Sequence, residues 1–187
     1  MTTTSVPDVA SLTGDYTFDV AHTRFGFVAR HAMVTKVRGS FSEFEGKAHL
    51  DFSDQAKSSV QVTIKASSVD TRNGERDKHL RSNDFFAMEE YPEISFASTA
   101  VEGIDGTNYR VSGDLTIRGT TKPVAIDVEF TGTAVDSYGK VLVGFEGSVI
   151  VNRKDWGVSW NTALEAGGVL VGDKVTLEVE AGLIKTP

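Results

Sequence analysis

Apolar residues recur at every second position along most of this chain, and that period constrains the fold more than any motif does. Alternation places successive side chains on opposite faces of a strand, so such a chain buries one face of a sheet and solvates the other. Tyr16, Phe18 and Val20 share one face; Phe25, Phe27 and Ala29 share another, with Arg24, Gly26, Val28 and Arg30 opposite. Phe44, Gly46, Ala48, Leu50 and Phe52 repeat the pattern, as do Val60, Val62 and Ile64. Further along it returns in Ile94 and Phe96, in Tyr109 to Ile117, in Val124 to Phe130, in Val141 to Val149, and in Val175, Leu177 and Val179.

Turn residues fall between these runs at Asp105-Gly106, Arg118-Gly119-Thr120, Ser137-Tyr138-Gly139 and Gly172-Asp173. About eight strands with short connections predict an antiparallel sheet, which at that size closes into a barrel or splits into a sandwich. Gly39, Gly46, Gly113, Gly132 and Gly147 sit on the apolar parity of their strands. They either ease bends and close strand approach or leave an inner lumen, and an eight-stranded barrel is wide enough to hold one small ligand. The expected architecture is an all-β, eight-stranded antiparallel barrel with a short helical insert over about residues 73–91. Residues 1–13 are expected as a flexible N-terminal segment and 14–184 as a single domain.

Composition removes several function classes. The 187 residues carry a net charge of −7, against binding to a phosphate backbone, so nucleic acid is not an expected partner. No cysteine is present, which excludes disulfides and thiolate chemistry. No apolar run approaches the ~18 residues of a membrane span. The first ten residues lack the basic and apolar regions of a secretory signal, so a cytoplasmic location is expected. His22, His31, His49 and His79 are scattered without metal-ligand spacing, and no nucleophile elbow, dinucleotide fingerprint or phosphate loop occurs. Neither a metal, a cofactor nor a catalytic residue is expected.

The exception to the alternation is Thr71 to Phe86, where charges and two adjacent phenylalanines crowd together. Glu75 to Ser82 fits two helical turns with Leu80 as the apolar anchor. Glu75 with His79 and Asp77 with Arg81 are i,i+4 pairs on the solvated side, and Arg76 and Lys78 also turn outward. Asp84 would cap a second short helix that Tyr91-Pro92 ends. At least one of Phe85 and Phe86 should line the sheet interior. His31 shares parity with Phe25 and Phe27 and would point inward near a barrel end. Trp156 and Trp160 mix with charges in a way that suits the rim of an apolar cavity.

Several stretches resemble one known family. They are Phe18-Asp-Val-Ala-His-Thr, Phe25-Gly-Phe-Val-Ala-Arg-His31, Gly39-Ser-Phe-Ser-Glu-Phe-Glu-Gly46, Val69-Asp-Thr71, Arg76-Asp-Lys-His-Leu-Arg-Ser-Asn-Asp-Phe-Phe86, Gly113-Asp-Leu-Thr-Ile-Arg-Gly-Thr-Thr-Lys-Pro-Val124 and Asn152-Arg-Lys-Asp-Trp-Gly157. In this order they resemble the YceI-like, or polyisoprenoid-binding, family from about Tyr16 to Leu183. The resemblance implies a lipocalin-like barrel around a long isoprenoid lipid, a quinone or polyprenyl derivative, with amphipathic drugs as the alternative cargo. It implies storage or transport and brings no catalytic residue. An enzyme acting on the lipid head through His31 is the competing class.

The expected ligand-binding set follows. Phe25, Phe27, Phe41, Phe44, Phe96, Leu115, Ile117 and Phe145 would line the lumen from the strands. Leu80, Phe85 and Phe86 would close one end from the insert. His31, Arg153, Trp156 and Trp160 would stand at the rim, near the head group. An exposed sheet edge would allow a homodimer.

Overall fold

The computed structural model describes residues 8–165 and 167–187. Its strands are β1 (Gly14–Phe18), β2 (Arg24–His31), β3 (Thr35–Phe41), β4 (Phe44–Leu50), β5 (Ser59–Lys65), β6 (Val69–Asp70), β7 (Glu93–Asp105), β8 (Asn108–Ile117), β9 (Thr120–Val135), β10 (Val141–Asn152) and β11 (Val171–Lys185). One α-helix, α1, spans Gly74–Arg81. Pairing runs β1-β4-β5-β7-β8-β9-β10-β11 and returns from β11 to β1, closing an eight-stranded antiparallel barrel. Closure leaves no exposed edge around this ring. No described helix is long and apolar enough to cross a membrane.

Eleven strand segments make eight lanes because three lanes are broken. β1 pairs with Phe18↔Leu183 to Tyr16↔Lys185, while β2 pairs with the same strand from Glu180 back to Val171. β1 and β2 are therefore one lane, interrupted by a 3-10 turn over Val20–His22 that Asp19 caps. This turn removes Val20 from the alternation and leaves it exposed. β3 follows β2 and β4 follows β1, while β5 pairs with β4 and β6 with β3, so the break is transmitted across the sheet. β6 has only two residues, and there the sheet stops and the insert begins.

Gly172-Asp173 lies inside β11, at a register shift between Val171 and Val175, rather than in a turn. Asn161 fixes that entry by donating from Nδ2 to Val171 O at 2.8 Å and accepting from Val171 N at 3.0 Å. The expected flexible segment falls partly on residues 1–7, outside the described residues. Within 8–13, Leu12 is buried, and the Tyr16 hydroxyl donates to its carbonyl. Burial pushes the Tyr16 phenol pKa up.

Of the inward glycines, Gly39, Gly46, Gly113 and Gly147 serve close approach, whereas a Cβ on Gly132 would meet open space. A Cβ on Gly39 would sit 2.4 Å from the Phe27 ring, and one on Gly113 would sit 2.5 Å from the Phe96 ring. Phenylalanine rings thus occupy the space beside Gly39, Gly46 and Gly113. Two buried clusters result. One gathers Leu12, Tyr16, Ala48, Val143 and Leu183; the other gathers Phe85, Val124, Trp156 and Val158 around the insert.

Candidate functional site: an apolar cavity closed by the insert

Between these clusters lies a cavity of about 320 Å³, lined almost wholly by apolar atoms. Phe25, Phe27, Phe41, Phe96, Leu115, Ile117 and Phe145 line it from the strands; Leu80, Phe85 and Phe86 line it from the insert; Arg153 and Trp156 line it beyond β10. Phe44, His31 and Trp160 are not in the lining. The Phe44 ring packs edge-on against Phe25, with centroids 4.8 Å apart, which places it behind the wall.

His31 requires a correction. It keeps the inward parity and pairs with Val171 at the start of β11, but it lies at the last position of β2 and outside the cavity lining. Its side chain is exposed. The expected role of Arg153 at a head group also changes. Its guanidinium is 6% exposed and donates to Gly172 O at 2.9 Å, Val158 O at 2.6 Å and Val171 O at 3.3 Å. Burial pushes its pKa down, against an opposing pull from Asp173. A cation so committed ties the 3-10 turn over Arg153–Trp156 to the start of β11. Trp156 is buried, and its indole N–H donates to Leu115 O at 2.9 Å. Trp160 is half-buried and holds the insert from outside, its ring 4.6 Å from His79 and 5.4 Å from Phe85.

Inside the insert the polar pattern departs from solvated i,i+4 pairs. Asn73 caps α1 by accepting from Arg76 N at 3.0 Å. Asp77 is buried and accepts from both Thr71 N at 2.9 Å and Thr71 Oγ1 at 2.6 Å. Arg76, expected outward, donates to Thr71 Oγ1 and Thr71 O. Arg81 turns back to donate to Ser67 O at 2.9 Å and Val69 O at 3.4 Å instead of meeting Asp77. His79 pairs with Asp84 at 2.8 Å rather than with Glu75. Lys78 alone of the three outward-assigned cations is exposed. No second helix forms after Asp84. The chain turns instead, with Phe86 N donating to Leu80 O and Ala87 N to Ser82 O. Arg118 holds this turn against β8 by donating to Phe85 O at 2.9 Å.

Sequence reading overlooked part of the lining. Phe18, Val62, Ile94, Val128 and Leu177 contribute to it, all at inward positions of the period-two pattern. Asp51, Gln55, Ser58 and Ser59 border the opposite end, where no sequence signal marked them. Among the described residues, no group of three His, Asp or Glu side chains could hold a metal ion.

A closed eight-stranded antiparallel barrel around an apolar interior is the lipocalin-like class of fold. The chain matches the YceI-like domain over residues 16–183, and it belongs to the YceI-like family. A UPF0312 protein of Staphylococcus aureus (strain N315) is 39% identical over 168 residues, which cover 89% of this chain and 95% of the relative. BcnA of Burkholderia cenocepacia superposes with a TM-score of 0.78 at 25% identity, over 90% of this chain and 99% of that one. The YceI protein of Campylobacter jejuni gives 0.73 at 29% identity, over 84% and 90%. A polyisoprenoid binding domain from Saccharophagus degradans shares the fold, with a TM-score of 0.66 at 14% identity over 91% and 98%.

Proposed function

We propose that this chain binds a long isoprenoid lipid, a quinone or polyprenyl derivative, and stores or transports it without acting on it chemically. The observation that carries this reading is the apolar cavity between the two cores. At about 320 Å³ it lies at the small end of the range for ligand pockets, roughly 300–1,000 Å³. Burial at ~0.8 kcal/mol per CH₂ makes even a dozen methylenes a strong anchor before association costs. Membership of the YceI-like family and the polyisoprenoid binding of the Saccharophagus degradans domain support the same class of cargo. Organic extraction of the purified protein followed by mass spectrometry should recover an isoprenoid. A preparation without lipid that also fails to take up added quinone would sink the proposal.

A second reading, sequestration of other amphiphiles such as lipophilic antibiotics, draws on the lining itself. Arg153, its one cation, is held by three carbonyls, so little there selects a particular head group. Competition between a fluorescent amphiphile and a quinone separates the two by rank order. Prolonged incubation with a quinone or polyprenyl phosphate should return it unchanged; product formation would overturn the non-enzymatic reading.

A further inference from the structure

Charge is distributed unevenly along this acidic chain. From Val20 to Ser42 there are four cations, Arg24, Arg30, Lys36 and Arg38, and no Asp or Glu, which leaves 15 cations against 26 acids elsewhere. In the structure that stretch is centred on the β2–β3 hairpin. Arg30 lies directly across from Lys36, and Val28 from Arg38, so the three cations share the outer face of one hairpin. All three are exposed, and none makes an ion pair among the described residues. Neighbouring acids are engaged elsewhere: Glu178 lies 3.5 Å from Arg24, Asp173 is 3.2 Å from Lys154, and Asp70 accepts from Arg72 N. Elsewhere on the barrel the polarity is reversed, with Glu129, Glu146 and Glu180 adjacent in one cross-strand row.

The tip of the same hairpin is apolar and exposed. Met33 is 65% exposed and Val34 75%, with Val169 of the facing loop beside them. The turn is built from Ala32 at φ 51° and Met33 at φ 61°, closed by Val34 N donating to His31 O at 3.0 Å. Two consecutive left-handed residues are the ordinary place for Asn-Gly, and a non-glycine pair there is strained. Protection of the open β3 edge would account for Lys36 and Arg38. It does not account for Arg30, nor for a methionine and a valine held out in water.

We infer that the β2–β3 hairpin docks on an anionic lipid bilayer, with Arg30, Lys36 and Arg38 facing the head groups and Met33 and Val34 entering the interface. Cations beside exposed apolar residues are the pattern that partitions to such surfaces. The inner face of the hairpin carries Phe27 and Ala29 into the cavity lining, and Phe41 of β3 touches Phe86 of the insert, with ring centroids 5.7 Å apart. Docking therefore sets the insert end of the cavity against the membrane. The inference goes beyond ligand binding and is tested without a ligand.

The test is co-sedimentation of the full chain with vesicles of phosphatidylcholine alone and with about a third phosphatidylglycerol. Binding should require phosphatidylglycerol and weaken at least tenfold when salt is raised well above ~0.1 M, where the screening length falls below about 10 Å. Arg30→Glu, Lys36→Glu and Arg38→Glu together should reduce binding at least tenfold, and Met33→Ser with Val34→Ser about threefold. The same three charge reversals at Lys47, Lys122 and Lys140 should leave it within twofold. Equal binding to phosphatidylcholine, no binding at low salt, or equal loss in both charge-reversed proteins would overturn the inference. All the substituted side chains lie on the surface; circular dichroism and isoprenoid uptake, read on each variant, separate loss of docking from loss of fold or of ligand binding.

Discussion

At the insert end, Phe85, Trp156 and Val158 are packed under a segment tied by hydrogen bonds: Asp77 accepts from Thr71, Arg81 donates to Ser67 and Val69, and Arg118 donates to Phe85. At the opposite end, Leu12, Tyr16 and Leu183 are packed within the strand pairing that closes the ring. Opening the first end requires loss of local polar ties and unpacking of Phe85, with the strand pairing of the ring left intact. Opening the second requires breaking the barrel. Local openings of this kind cost less than global unfolding, and elements that gate ligands come from that low-stability fraction. The difference predicts that a ligand enters at the insert end and that global stability rests on the other.

Substitutions can break that division. Arg153→Ala should have the largest effect, because the carbonyls of Val158 and Gly172 lose this donor and Val171 O is left with Asn161 alone; a loss of about 3–5 kcal/mol in urea unfolding is expected, with faster ligand release. Phe85→Ala should cost about 3–4 kcal/mol and also speed release of a bound fluorescent lipid. Leu12→Ala, with a comparable cost of about 2–4 kcal/mol, should leave release nearly unchanged. If Leu12→Ala and Phe85→Ala accelerate release equally, the two ends are equivalent and the assignment fails.

Finer comparisons follow. Asp77→Asn should cost about 1–3 kcal/mol and reduce amide exchange protection in α1 without reaching β1 or β11. Tyr16→Phe should cost about 1 kcal/mol. Its phenol is held protonated in the fold, with its pKa raised above the ordinary value near 10, so the stability it contributes is present below that pH and lost as pH rises through the raised value. Alkaline unfolding should lose that step in the variant. Lys78→Ala should change stability by less than about 0.5 kcal/mol and leave lipid retention intact, whereas a polar residue at Phe85 or Phe86 should weaken retention.

Much of this arrangement was legible in the chain. Val111, Gly113 and Leu115 alternate cleanly because β8 is one unbroken lane with one buried face. The breaks were not, since Val20 continues the parity of Phe18 straight through a 3-10 turn that only the capping geometry of Asp19 reveals. In the site, apolar lining was readable because parity alone decides it. His31 misled because parity gives the side of the strand and not where along it the interior ends. Asp77 and Arg153 misled because charged residues are rarely buried, and their partners lie at positions that only the folded backbone brings near.

Closure of the ring also bears on how the protein forms. Phe18 meets Leu183, and Thr186 N donates to Asp15 O at 2.8 Å, so the seam joins residues separated by almost the whole chain. Contacts of such separation form late and slowly, because the loop must be ordered before the pairing repays it. Until that seam forms, the strip destined for the lumen faces water and is open to aggregation. An apolar cargo present during synthesis would meet that strip before the barrel shuts, so the cargo could act as a template for its own container.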